Sequence, residues 1–170
     1  MNKHFRNEYL PYVKVKVKCL ICGKEFDYYS AKGAELLLDV PNVMECRKCN
    51  KLILYDLGEP VHRHIMDFLE KKYKKIISWD DAELILLYER TVDNCECGEA
   101  YRITSRICPF CGAKNKDKLK FIGSEIIKIK QLYITHNKIK SLEDIKDPEL
   151  REIFKDFDFR KWREELRKER

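Results

Sequence analysis

The absences in this sequence narrow its class before any motif is read. Its longest purely apolar stretches, such as Leu84-Ile85-Leu86-Leu87, run for four or five residues, against the roughly 20 that a helix needs to cross a bilayer. The expectation is a soluble chain with no membrane partner. The opening residues, Met1-Asn2-Lys3-His4-Phe5-Arg6, lack the apolar core and small-residue cleavage site of a secretory signal, so the expected compartment is cytoplasmic. Neither a glycine-rich phosphate loop nor a serine nucleophile elbow is present. Glutamine occurs once, at Gln131, amid plentiful lysine, glutamate, isoleucine and tyrosine, a bias that fits a thermophile or an AT-rich genome.

The cysteines, by contrast, leave no remainder. All eight fall into close pairs: Cys19 with Cys22, Cys46 with Cys49, Cys95 with Cys97, and Cys108 with Cys111. In a reducing cytosol such pairs read as metal ligands rather than disulfides. A tetrahedral zinc needs four ligands at about 2.3 Å, and a Cys-x2-Cys turn supplies two of them from one tight loop. The chain must then leave the turn through a left-handed backbone, which glycine adopts freely and asparagine tolerates. Gly23, Asn50, Gly98 and Gly112 stand directly after the second cysteine of the four pairs. The expected cofactors are therefore two Zn²⁺, each held by four thiolates. Tandem pairing would close loops of 23 and 10 residues, the smaller entropic cost; a cross-braced pairing would join first with third and second with fourth. Four thiolates leave no coordination position for water, which argues against a catalytic zinc.

Residues 12–57 and 94–115 resemble zinc-ribbon modules, in which two knuckles cap neighbouring hairpins. The first is also similar to bacterial CpXC-type domains, with Leu20 and Arg47 where those have proline. Cys108-Pro109-Phe110-Cys111-Gly112 resembles the second iron-binding knuckle of rubredoxins and Cys97-Gly98-Glu99-Ala100-Tyr101 their first, a likeness that implies iron-based electron transfer as a minor reading. The Cys95-x-Cys97 spacing and the short loop before Cys108 depart from that pattern.

Hydropathy periodicity places these pairs on elements. Val13, Val15 and Val17 alternate with Lys14, Lys16 and Lys18, the mark of a half-buried strand. Phe26–Tyr29 is its expected hairpin partner, Ser30 an expected cap of a helix through Leu36, Leu37 and Leu38, and Leu52–Leu57 a further strand. Helices are expected from Pro60 to about Lys75, and from Ser78 or Asp81 to about Thr91, with Ser78 and Asp81 at capping-box spacing. Another is expected after Ser124 through Ile126, Ile127, Ile129, Leu132, Tyr133 and Ile134, and two more begin at Asp147-Pro148 and Asp158. The fold class expected is α+β: two small zinc-ribbon-like modules joined by a pair of helices, with a C-terminal helical segment. The boundaries fall at 1–58, 59–93, 94–118 and 119–170.

Net charge is +6, and the excess lies in residues 95–140, which hold ten lysines and arginines against four acidic residues. Each zinc tetrathiolate carries −2, which brings the loaded chain to about +2 and leaves the local asymmetry in place. Arg102, Arg106, Lys114, Lys116, Lys118, Lys120, Lys128 and Lys130 are the expected contacts to DNA, RNA or a nucleoprotein complex, with Lys138 and Lys140 beyond them and Tyr101, Phe110, Phe121, Tyr133 and His136 interleaved. The competing reading is a protein–protein adaptor whose zinc sites set geometry alone. Enzymatic activity is left undecided and disfavoured. His62 and His64 diverge on a helix and read as surface or capping residues. His136-Asn137 lacks the further ligands of an HNH nuclease, and Asp80, Asp81 and Glu83 suit the first turn of a helix.

Overall fold

The valine–lysine alternation forms strand β1 (Tyr9–Cys19), which turns through the first cysteine pair into β2 (Glu25–Ala31). A computed structural model describes this protein over residues 9–31, 43–55, 59–130 and 140–168; the helix expected around Leu36–Leu38 lies outside them, as do His4, Tyr133, His136 and Lys138. β3 (Val43–Cys46) turns through the second pair into β4 (Leu52–Leu54). β5 (Tyr101–Ile103) follows the third pair and β6 (Leu119–Lys130) the fourth. Two three-stranded antiparallel sheets result: sheet A in the order β2-β1-β6, and sheet B in the order β4-β3-β5. Each hairpin of the N-terminal part thus takes its third strand from beyond residue 100.

The helix expected after Ser124 is corrected to a strand as far as Lys130, and its later positions, Leu132, Tyr133 and Ile134, lie outside the described residues. Ile126, Ile127 and Ile129 are β-branched, stiff at χ1 and better suited to a pleated surface. β6 pairs with β1 over eleven positions, from Tyr9 opposite Lys130 to Cys19 opposite Leu119. Non-local pairing decides what the short apolar spacing left ambiguous. A bulge at Ile122 shifts the register between Lys16 and Val17.

The helices match expectation more closely. α1 (Pro60–Tyr73) has proline in its first turn and buries Val61, Ile65 and Leu69. α2 (Ala82–Glu89) is capped by Asp81, whose carboxylate accepts from the Glu83 and Leu84 N–H groups at 3.0 and 3.1 Å; Ser78 instead bonds Asp80 and caps nothing. Asp147 caps α3 (Pro148–Phe154), and Asp158 accepts from the Lys161 N–H at the start of α4 (Phe159–Lys168). These helices and one face of sheet B enclose the main core: Met44, Tyr55, Ile65, Leu69, Leu84, Tyr88, Ile103, Phe154 and Trp162 are all buried. His62 is corrected from surface to core. It stacks on Trp79 at 5.9 Å and meets Tyr88 edge-on at 5.0 Å. His64 Nε2 lies 2.7 Å from the Ile153 carbonyl and ties α1 to α3.

Sheet A is buried diagonally. On the face carrying Tyr12, the apolar end formed by Tyr12, Tyr29 and Ile129 packs on Val43 and Leu54 of sheet B. On the opposite face the other end packs down, with Val17, Phe26, Tyr28 and Leu119 around Cys19 and Cys108. The remaining half of each face is open, and the two open halves differ in chemistry.

Candidate metal centres

Each cysteine pair sits where a hairpin or strand begins, and the same backbone device recurs at all four. The first cysteine donates its N–H across the turn to a carbonyl beyond it: Cys19 to Lys24, Cys46 to Lys51, Cys95 to Glu99 and Cys108 to Ala113, all at 2.8–2.9 Å. Its own carbonyl accepts from the residue after the second cysteine, which is Gly23, Asn50, Gly98 or Gly112. All four of those residues have positive φ, from 62° to 91°, as the sequence requires. The Cys95-x-Cys97 turn reaches the same closure with one residue fewer.

The four turns assemble into two groups of four sulfurs, each within a 4.8 Å span: Cys19, Cys22, Cys108 and Cys111 form one, and Cys46, Cys49, Cys95 and Cys97 the other. Tandem pairing is therefore overturned, and cross-bracing with it. The sites are nested: first pair with fourth, second with third. The physical reason is strand pairing, because β1 lies against β6 and β3 against β5, which brings those turns to common sheet ends. Between partner turns the sulfurs are 3.4 and 3.6 Å apart in the outer group and 3.4 and 3.5 Å apart in the inner one. A disulfide needs about 2.0 Å. A tetrahedron with metal–sulfur bonds of about 2.3 Å has edges of about 3.8 Å, so both groups fit a four-coordinate metal ion.

The protein also readies the sulfurs for a cation. Cys19 is pulled down to about 6 by the Cys22 N–H and then the Ile21 N–H. Cys46 is lowered in the same way by the Cys49 and Lys48 N–H groups. Cys95 is lowered to about 6 by the Cys97 N–H, with the Tyr101 hydroxyl as a second donor. The partner thiols move the other way. Cys111 receives the Ala113 N–H, yet its bond to the Cys19 sulfur drives it up to about 12, and Cys49, with the Lys51 N–H and Cys95, behaves likewise. Sulfurs crowded together share protons, and a divalent ion replaces those protons. The sequence reading set Tyr101 among the aromatics interleaved with the basic residues; its hydrogen bond to Cys95 depends on β5 placing it there, and no local spacing encodes that.

The surroundings of the two groups differ. Leu20, Ile21 and Phe110 are exposed at the outer site's turns, with the Lys24 Nζ 4.6 Å from the Phe110 ring centroid. Arg47 and Lys48 stand at the corresponding turn of the inner site. Between them opens a cavity of about 540 Å³ whose lining includes Glu45, Arg47, Glu89, Arg102 and Phe110. Burial raises the Glu45 carboxyl, with Asp27 adding to the effect. Burial also raises Glu89, against the Ile103 N–H that Glu89 Oε1 accepts at 2.8 Å.

Glu89 therefore has a testable consequence. Its raised pKa means that the folded chain holds the proton more tightly than the unfolded one. The cost of the buried charge is present above the folded pKa and vanishes as pH falls toward the unfolded value of about 4.5. Glu89→Gln keeps an acceptor for Ile103 and is expected to match or exceed the parent's stability by about 1 kcal/mol at pH 7, with the gain fading at lower pH. Glu89→Ala orphans that N–H and is expected to lose about 1–3 kcal/mol. Denaturant titrations at several pH values check both.

The eight basic residues expected to share one surface do not. Arg102 lies on sheet B and donates to the Pro109 carbonyl at 3.1 Å, bracing the fourth turn. Lys114, Lys116 and Lys118 follow Cys111 in the link to β6, and Lys120 pairs in register with Lys18. Lys128 pairs with Pro11 on the opposite face, and Lys130 ends β6 opposite Tyr9. Arg106 lies over the Tyr28 ring at 5.8 Å on the same face as Lys128.

Among the described residues no helix is long and apolar enough to cross a membrane. Comparison with curated proteins and with solved structures found no match. A family model does match residues 15–117, a span that contains all eight cysteines, the strands from β2 to β5 and the two helices between β4 and β5. With more than half of its length covered by that model, the chain belongs to the family described as domain of unknown function (DUF8255).

Proposed function

We propose that the chain is a scaffold stapled by two zinc ions, with zinc-ribbon-like turns, that binds nucleic acid through the open face of sheet A. The charge distribution across that sheet carries the reading. Its strands contain three acidic residues, Glu25, Asp27 and Glu125, and register places them opposite Lys18, Lys16 and Lys14 on one face. Lys14 lies 3.8 Å from both Asp27 and Glu125. Lys14 is thus paired with acids, and Lys16 and Lys18 each face one in register. On the other face the described strand positions carry no acid, and Arg106 and Lys128 stand beside exposed Phe121 and Ile126. Cations on such a face displace phosphate counterions.

The zinc assignment follows from the donor set, since four thiolates with closed tetrahedral geometry suit Zn²⁺, and such a site supports shape rather than catalysis. Metal analysis separates zinc from iron. Binding is tested by fluorescence anisotropy of a labelled oligonucleotide with metal-loaded protein at two salt concentrations. Two or three neutralised phosphates predict a fall in affinity of about tenfold between 50 and 200 mM salt; salt-independent binding, or none, sinks the reading. Exposed Leu20, Ile21 and Phe110 at the outer site favour the second reading, a protein partner for the metal turns.

A further inference from the structure

A strand at the edge of a sheet presents a row of unpaired backbone N–H and C=O groups, ready to take up another strand. The two sheets have four such edges, β2 and β6 in sheet A and β4 and β5 in sheet B. Three of them are closed off: Phe26, Tyr28, Tyr29 and Ser30 of β2 are buried, and no residue of β4 or β5 is exposed. β6 is different. Among the described residues only β1 pairs with it, and residues 120–126 are exposed one after another, on both faces of the sheet. Phe121, Ile122 and Ile126 are among them, at 52%, 39% and 61% exposure. Folded proteins otherwise shorten, charge or cover a long apolar edge of this kind.

We propose that β6 pairs antiparallel with β6 of a second copy of this chain, joining two copies of sheet A into one sheet of six strands. Main-chain hydrogen bonds supply affinity at such an edge, and a twofold contact must complement itself. The charges on β6 meet that condition. Register with β1 puts Lys120, Gly123 and Glu125 on the lysine face, and Phe121, Ser124 and Ile126 on the valine face. A twofold axis between Ile122 and Gly123 sets Lys120 opposite Glu125 of the second copy, and Glu125 opposite its Lys120. Phe121 then meets Ser124 of the second copy, and each of these pairs shares a face. Glu125 reaches Lys14 of its own chain at 3.8 Å yet its side chain stays 65% exposed, open to a second cation. The bulge points the same way. Ile122 is the extra residue of β6 against the regular strand β1, and a regular foreign strand would leave one residue unopposed in the same manner. Two copies of β6 carry the same extra residue, which falls at the axis in both. The pairing stands apart from the reading of sheet A as a nucleic-acid surface.

The test uses the full metal-loaded chain in analytical ultracentrifugation across the micromolar range, where the parent is expected to sediment as a dimer. Lys120→Glu and Glu125→Lys each turn both cross-axis pairs into like-charge pairs, and each is expected to weaken self-association about tenfold. Mixed together, the two variants restore opposite charges across the axis. They are expected to form a mixed dimer about as tightly as the parent, read by native mass spectrometry with one of them isotopically labelled. Both positions are exposed, so the variants are expected to keep the parent's metal content and circular dichroism. A parent that stays monomeric throughout the range overturns the proposal. A dimer that both single variants leave undiminished, or a mixture that pairs no better than its components, overturns it as well, by placing any contact elsewhere than on β6.

Discussion

Removing the metal is expected to unfold most of this protein. A strong chelator should release two ions per chain, abolish the cooperative thermal transition and expose the aromatic core to solvent. The magnitude follows from comparing two scales. Structural zinc contributes an apparent ~10–16 kcal/mol in small zinc modules, while whole domains are stable by about 5–15 kcal/mol. Losing one site already rivals the total. The cause is visible at the turns: β1, β3 and β6 all begin or end within a residue or a few of a metal-site cysteine, and Cys19, Cys46, Cys95 and Cys108 are buried. Without an ion, these crowded sulfurs share protons and negative charge instead of four bonds to one centre. Circular dichroism and colorimetric metal release, followed together during chelation, check the expectation. A chelated chain that still melts within a few degrees of the parent would show that the sheets and helices hold without metal.

The turns themselves were legible from sequence because their rule is local. A cysteine pair followed by Gly23, Asn50, Gly98 or Gly112 specifies a metal knuckle wherever it lies in the chain, and all four have the positive φ expected. Two helix starts were legible for the same reason, since Asp147 and the proline of α1 act within one turn, whereas at α2 the capping-box spacing pointed to Ser78 and the cap is Asp81. Which knuckles share an ion was not legible, because that depends on strands far apart in sequence. Loop entropy favoured tandem closure, yet each doubling of loop length costs only about 0.6 kcal/mol. Loops that bring together residues 46 and 86 positions apart are about two doublings longer than the tandem ones, a small penalty beside an eleven-position ladder between β1 and β6. The same ladder explains the misread segment after Ser124. Ile126, Ile127 and Ile129 satisfy a helical stripe and a strand equally well, and only β1 distinguishes them. It also explains why the basic residues scatter, since alternation along β6 sends Lys120 and Lys128 to opposite faces.

Nesting makes the two sites unequal, and substituting one cysteine in each is expected to reveal it. The inner site continues directly into the main core: β3 carries Met44 beside Cys46, β5 carries Ile103 beyond Cys95 and Cys97, and both side chains pack with the helices. The outer site rests on a smaller cluster, in which Val17, Phe26, Tyr28 and Leu119 surround Cys19 and Cys108. Cys19→Ser is expected to lose one metal, fray sheet A and keep the helical core with its remaining ion. Cys46→Ser is expected to lose the inner ion, loosen sheet B from the helices and take the outer ion with it. Once the inner loop opens, the outer site must close its longer loop unassisted, at an added cost of about 0.6 kcal/mol. The displaced strands weigh far more than that entropy. Native mass spectrometry counts the ions, and far-UV circular dichroism reads the helices. One ion and parent-like helicity in Cys19→Ser, against none and a collapsed signal in Cys46→Ser, is the expected contrast. Equal losses in the two variants would mean that the sites and cores form one indivisible cooperative unit.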